Sequence, residues 1–120
     1  MTSLNTFGAI LTYAIELEGK LRDYYQAVGN SERAREADKR RAKLERVRRE
    51  TVLEITLEAI DGLDAAKYSL NTTDTTAAGQ KAVETAAARF YADVAPKINV
   101  REAQRALERA GREHAALAQQ

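Results

Sequence analysis

The chain contains no cysteine, no tryptophan and a single proline, and aromatic side chains make up only 6% of its 120 residues. The absence of cysteine excludes disulfides, zinc–thiolate sites and cysteine nucleophiles. The net charge is only +1 and both signs are interspersed, which gives no electrostatic basis for binding nucleic acid or an acidic membrane. No apolar run is long enough to span a membrane. The N-terminal stretch lacks the basic region of a signal peptide and reaches an acid at Glu16, so we expect a cytoplasmic protein.

What the chain has in abundance is alanine, leucine, glutamate and arginine, the composition of an all-helical protein. Apolar residues at alternating steps of four and three predict a first helix over about residues 3–28. A second, long helix is predicted over about 32–60, a third over about 76–95 and a fourth over about 100–119. The length suits one domain, 1–120, with a modest core.

The lengths of the predicted connections favour two antiparallel helical hairpins. Short links join helix one to helix two and helix three to helix four, which gives hairpins over about 3–61 and about 76–119. The connection over about 62–75 is longer than a hairpin turn and, when extended, could run most of the length of a bundle. The prediction is a four-helix bundle with a crossover connection, and an up-down-up-down bundle stays open as the alternative.

Two motifs return along the chain and suggest an internal duplication. The heptapeptide LERVRRE, which begins at Leu44 in predicted helix two, returns as LERAGRE from Leu107 in predicted helix four, with five of its seven letters unchanged. In predicted helix one, Glu18 is followed seven residues later by Tyr25. In predicted helix three, Glu84 is followed by a tyrosine at the same spacing, Tyr91. Two matches in the same chain order, with nearly the same separation between copies, predict duplicated hairpins.

With these motifs the chain resembles the ferritin-like proteins, in the style of the short rubrerythrin-type bundles, over all four helices. In that family, helices one and three each supply an inward Glu, often with a Tyr seven residues later, and helices two and four carry Glu-x-x-His. The resemblance implies hydrogen-bonding roles for Tyr25 and Tyr91. It also implies four carboxylates that hold two Fe or Mn ions: Glu18, Glu45, Glu84 and Glu108. The sequence departs from the family where the two His ligands belong, because Arg48 and Gly111 stand there.

The departure at Arg48 suggests a different way of balancing the acids. Glu18 lies in the middle of the apolar stripe of helix one, and Arg48 projects from the apolar side of helix two. A buried ion needs partners, and a guanidinium suits carboxylates. We therefore predict that a buried charge cluster takes the place of the metal centre, within the chain or across an interface, and that it consists of Glu18, Arg48, Glu84 and Glu108. His114, the only histidine, is predicted to be a packed or interfacial side chain rather than a ligand.

Three functions stay open from the sequence. The first is a ferritin-like bundle with a lost or remodelled di-metal site and no cofactor, which acts as a scaffold or binding protein. A homodimer is expected, because pairing would bury more apolar surface of a small alanine-rich bundle. The second is a diiron or dimanganese carboxylate protein that handles peroxide or iron in the manner of rubrerythrin. The third is a helical module that binds protein or, less expectedly, nucleic acid through helix two. The sequence leaves enzymatic activity undecided and favours a protein without it.

Overall fold

The computed structural model describes residues 4, 6–51 and 62–120. These residues form two short 3-10 turns, at Ala65–Tyr68 and Ala95–Lys97, and no strand. They also form four α-helices, which are α1 (Phe7–Val28), α2 (Ser31–Glu50), α3 (Ala77–Val94) and α4 (Arg101–Ala118). The continuation of helix two that was predicted through 52–60 lies outside the described residues. Of the helices described, none is long and apolar enough to cross a membrane.

Local side chains fix where the helices begin and end. Thr6, Asn30 and Thr76 each accept a hydrogen bond from a backbone N–H of the first turn that follows, at 3.1, 3.1 and 3.2 Å. Gly29 ends α1 with φ at 89°, a left-handed conformation that glycine adopts without strain. Since only Gly29 and Asn30 separate α1 from α2, these two helices form a tight antiparallel hairpin.

The described part of the connection between the hairpins, residues 62–76, runs along the bundle. α1 packs on α2 and α3 packs on α4, and the two hairpins meet through α1–α3 and α2–α4 contacts. Tyr24, near the end of α1, donates a hydrogen bond of 2.6 Å to the backbone carbonyl of Asp74, just before α3. α3 therefore begins at the same end of the bundle as α2, and the two helices run in the same direction. The predicted pair of hairpins with a crossover is confirmed.

Part of this connection packs on α3. The ring of Tyr68 is buried and meets the ring of Phe90 edge-on, with centroids 5.4 Å apart. Its hydroxyl donates a hydrogen bond of 2.7 Å to the carboxylate of Asp93. Burial, together with the charge and hydrogen bond of Asp93, raises the pKa of Tyr68 to about 12, so the phenol remains a donor. The crossover is thus anchored to the body of the bundle.

All four helices contribute to one core, and a glycine sets how closely α3 and α4 pack. The large apolar side chains that are fully buried include Ile10, Leu11, Leu21, Leu44, Phe90 and Leu107. At Gly111, an added Cβ would lie 2.8 Å from the Cβ of Tyr91, closer than real Cβ contacts allow. The backbone of α4 therefore approaches α3 at a distance that only glycine permits.

We expect Gly111→Ala to destabilise the protein by about 1–3 kcal/mol, because the added methyl group overpacks a contact that cannot relax without moving a helix. Urea denaturation at neutral pH measures the change. Gly8→Ala is the matched control, since nothing lies within 4 Å of a Cβ at that position of α1. There we expect a gain of about 0.5–1 kcal/mol from helix propensity. Equal effects of the two substitutions would contradict the close approach at Gly111.

Candidate functional site: a buried network of charged side chains

Two carboxylates from different hairpins lie in the centre of the bundle, joined by a histidine. Glu18 of α1 and Glu84 of α3 are both fully buried. The ring of His114, on α4, is also fully buried and lies between them. Its Nε2 is 2.8 Å from a carboxylate oxygen of Glu18, and its Nδ1 is 2.5 Å from a carboxylate oxygen of Glu84. The two acids of the duplicated motif are therefore bridged through one imidazole.

The imidazole of His114 is protonated in this arrangement. Each ring nitrogen faces a carboxylate oxygen, and only the imidazolium can donate through both nitrogens at once. Burial by itself would lower the pKa of His114, but the charges and hydrogen bonds of Glu18 and Glu84 outweigh it and raise the pKa to about 9. His114 is thus a buried cation at neutral pH.

A second cation reaches the same site from α2. Arg40 is only 7% exposed, and its Nε donates a hydrogen bond of 2.9 Å to Glu18. Its Nη1 donates another, of 3.0 Å, to Glu113. Burial alone would raise the pKa of Glu18, but His114, Arg40 and the hydroxyl of Tyr91 together lower it. The carboxylate of Glu18 is therefore ionised between two cations, as a buried ion requires.

The two tyrosines of the repeated motif complete the network by reaching across to the opposite acid. Tyr25 of α1 donates a hydrogen bond of 2.6 Å to Glu84, and Tyr91 of α3 donates one of 2.5 Å to Glu18. Both phenols are buried, and burial and the neighbouring carboxylate raise the pKa of each. We call this set the central network: Glu18, Tyr25, Arg40, Glu84, Tyr91 and His114.

The reciprocal contacts give the network an approximate twofold symmetry. The exchange of α1 with α3 relates the two Glu–Tyr pairs in the way that the repeated motif predicts. The exchange of α2 with α4 relates Arg40, which holds Glu18, to His114, which holds Glu84. The heptapeptide match instead pairs His114 with a position beyond Arg48. The alignment of α2 with α4 that the heptapeptide gives is therefore shifted by about three helical turns from the alignment that the contacts give.

The prediction that Arg48 supplies the buried cation is wrong. Arg48 is exposed near the end of α2, and Arg40, about two turns earlier, takes the predicted role. The tight turn at Gly29 and Asn30 explains why Arg40 takes this role. In such a hairpin, a residue before the turn lies opposite the residue that follows the turn by the same number of positions. Glu18 precedes that turn by nearly the same distance in sequence as Arg40 follows it.

The other two predicted acids lie outside the network. Glu108 is exposed on α4, so its assignment to the buried cluster is also wrong. Glu45 is half-buried and accepts a hydrogen bond of 2.7 Å from Arg41, one turn earlier on α2. His114, which was predicted to be a packed or interfacial side chain, instead joins the two acids. Its place was visible in the spacing of the buried positions of α4, which are Ala103, Leu107, Ala110 and His114.

The residues of the centre do not fit a pair of metal ions. The family pattern needs four inward carboxylates, whereas Glu45 and Glu108 lie away from the centre. The nitrogens of His114 are both directed at carboxylates, and the guanidinium of Arg40 stands against Glu18. In the described part of the chain, no three side chains of the metal-binding types are placed to hold one ion. A fixed cation beside Glu18 would also repel a divalent ion.

Comparison with known proteins gives no relative: no family model, no curated protein and no solved structure matches this chain.

Proposed function

We propose that the chain is a ferritin-like bundle in which the central network takes the place of a di-metal centre, and that it acts as a scaffold or binding protein without catalysis. The observation that carries the proposal is the seating of two protein cations, Arg40 and protonated His114, between Glu18 and Glu84. In a di-metal bundle, metal ions would neutralise such acids. Here two positive side chains balance two negative ones.

The register of the contacts supports a remodelled rather than an unrelated centre. If the His of the family's Glu-x-x-His is aligned with Arg40 on α2 and with His114 on α4, the Glu of that motif falls on Ala37 and on Gly111. Both metal-bridging Glu positions would then hold a small residue, and one His position would hold Arg. A glutamate at position 111 would meet Tyr91, where even a Cβ comes within 2.8 Å. The close packing of α3 on α4 therefore favours the metal-free form.

The geometry favours structure over chemistry at this site. Every acid of the central network is ion-paired, and its tyrosines are held as hydrogen-bond donors. The two acids, Glu18 and Glu84, are fully buried, so a substrate cannot reach their carboxylates. The proposed role is to hold the two hairpins in one register by a specific pairing of charges.

A metal titration tests this proposal directly. We expect the thermal unfolding midpoint to be the same in EDTA and in anaerobic Fe(II) or Mn(II), because the cation positions are filled by the chain. A variant with Ala37→Glu and Arg40→His rebuilds the α2 motif and serves as the metal-binding control. Stabilisation of the unmodified protein that saturates near two ions per chain would contradict the proposal and favour the diiron or dimanganese alternative.

The homodimer remains a proposal as well. An apolar groove of about 630 Å³ on the α3–α4 face includes Ala88, Ala92 and Ala115 and carries both Arg89 and Glu108. A face with both signs of charge can pair with its own copy about a twofold axis. Light scattering after size exclusion, over a range of protein concentrations, measures the association state.

A further inference from the structure

The two open sides of the bundle are not equivalent. On the α1–α3 side, the connection through Tyr68 packs on Phe90. On the α2–α4 side there is a groove of about 650 Å³, lined within the described residues by α2, α4 and the C-terminal residue that follows α4. This is the size range of sites for small organic ligands.

The floor of the α2–α4 groove is apolar and its rim is basic. Leu44, Ala106, Ala110 and Leu117 supply aliphatic surface from both helices. Lys39, Lys43 and Arg109 stand at the rim and are exposed. The charge of Arg40 is balanced by Glu18, and the rest of the lining has three cations against two anions, Glu36 and Glu113. A ligand that matches it has an aliphatic part and a negative charge.

Arg40 connects this groove to the central network and has an unused donor. Its Nε and Nη1 are held by Glu18 and Glu113. Its Nη2 is the one buried side-chain nitrogen or oxygen without a hydrogen-bond partner among the residues described. Leaving such a donor unpaired costs about 1–3 kcal/mol, so buried polar groups almost always have partners. Arg40 also lines the groove, so the side chain that carries this donor borders the space where a ligand would bind.

We propose that the α2–α4 groove binds an aliphatic monocarboxylate, with the carboxylate at Arg40 and the rim lysines and the hydrocarbon chain along the floor. A second copy of this chain does not fit, because it would set one basic rim against another. Nucleic acid does not use an aliphatic floor, and the described lining of the groove contains no aromatic ring for stacking bases. The proposal rests on the proposed function in one respect: Arg40 must be held in place by Glu18.

The test uses three ligands that share the same aliphatic tail and differ in charge: one is negative, one neutral and one positive. Sodium octanoate, 1-octanol and octylammonium are titrated into the full-length protein by calorimetry. We expect octanoate to bind with one site per chain and octanol to bind about tenfold more weakly, the factor that one charge-assisted hydrogen bond supplies. Octylammonium should not bind, and acetate should not compete, because it lacks the tail. Equal binding of the three octyl ligands, or no binding of octanoate, would refute the proposal.

Groove variants locate the site. Ala106→Trp fills the floor and should abolish octanoate binding. Lys43→Glu should weaken octanoate about fivefold, the scale of one partly exposed charge contact, and leave octanol unchanged. Lys81→Glu, on the exposed face of α3, is the matched charge control and should change nothing. All three sites lie outside the central network, so circular dichroism should be unaltered. Unchanged octanoate affinity in Ala106→Trp would place the ligand elsewhere and overturn the assignment.

Two further measurements separate this proposal from its alternatives. Displacement of octanoate by duplex DNA, with a steep dependence on salt, would favour a nucleic-acid surface over a ligand groove. Stabilisation by Fe(II) or Mn(II) with octanoate binding retained would reject the metal-free centre and leave the groove supported. If octanoate does not bind and metal has no effect on stability, the groove is rejected and the metal-free centre stays supported.

Discussion

Arg40→Met is expected to destabilise the fold by about 3–5 kcal/mol, a large part of the stability of a domain of this size. Methionine keeps much of the side-chain volume but removes the cation that balances Glu18. The carboxylate would then stay buried with His114 and Tyr91 alone. Urea denaturation near pH 6, followed by circular dichroism, gives the change in the free energy of unfolding.

Arg48→Met is the matched control, since it makes the same substitution on the same helix. Arg48 is exposed, so we expect the urea midpoint to stay unchanged within error. The double variant Arg40→Met with Glu18→Gln should be less destabilised than the sum of its single substitutions, because each removes the other's unpaired charge. A larger effect of Arg48→Met than of Arg40→Met would mean that the cation nearest the acids had been misassigned.

The hairpins were predictable because their determinants are local in the sequence. The apolar steps of three and four in helix one, the stop at Gly29 and the cap at Asn30 specify the first hairpin without tertiary information. The long stretch between the hairpins indicated a crossover. Its path was not specified until contacts such as that of Tyr24 with Asp74 fixed which end of the bundle α3 starts from.

Half of the predicted charge cluster lies in the core. Glu18 and Glu84 were found through the repeated Glu–Tyr spacing, which reflects a real contact pattern in which each tyrosine serves the other acid. Arg48 was chosen because it stands at the His position of the family motif and projects from the apolar side of helix two. The azimuth of a residue gives the face of a helix but not the level along it. The distance from the turn supplies that level and selects Arg40.

The partners of His114 and the role of Gly111 could not have been assigned from the sequence in the same way. The heptapeptide match sets Gly111 of α4 against Arg48 of α2, whereas the contacts set it against Ala37. In an Arg- and Glu-rich helix, surface residues repeat easily and carry little information about the core. The role of Gly111 depends on the separation of α3 and α4 at Tyr91, which is a tertiary quantity.

The protonation of His114 makes the stability of the protein depend on pH. Its pKa rises from 6.5 in the unfolded chain to about 9 in the fold, so its contribution is complete below pH 6.5 and is lost as the pH rises through 9. We expect a loss of about 2–4 kcal/mol over this range. The pKa of Glu18 is lowered from 4.5, so its contribution is present above that pH and is lost as the pH falls further. Stability should therefore be greatest between about pH 4.5 and 6.5.

Urea midpoints from pH 4 to 10 measure this profile, and NMR can follow the imidazole directly because the chain has one histidine. In His114→Gln, two facing acids lose their shared cation, so overall stability should fall. The slope between pH 7 and 9 should then disappear, because the glutamine side chain does not titrate. The tyrosines do not interfere, since the pKa values of Tyr25 and Tyr91 are raised. A histidine titration near its ordinary pH in the folded protein, or an alkaline slope retained in His114→Gln, would show that the imidazole does not carry the bridging charge.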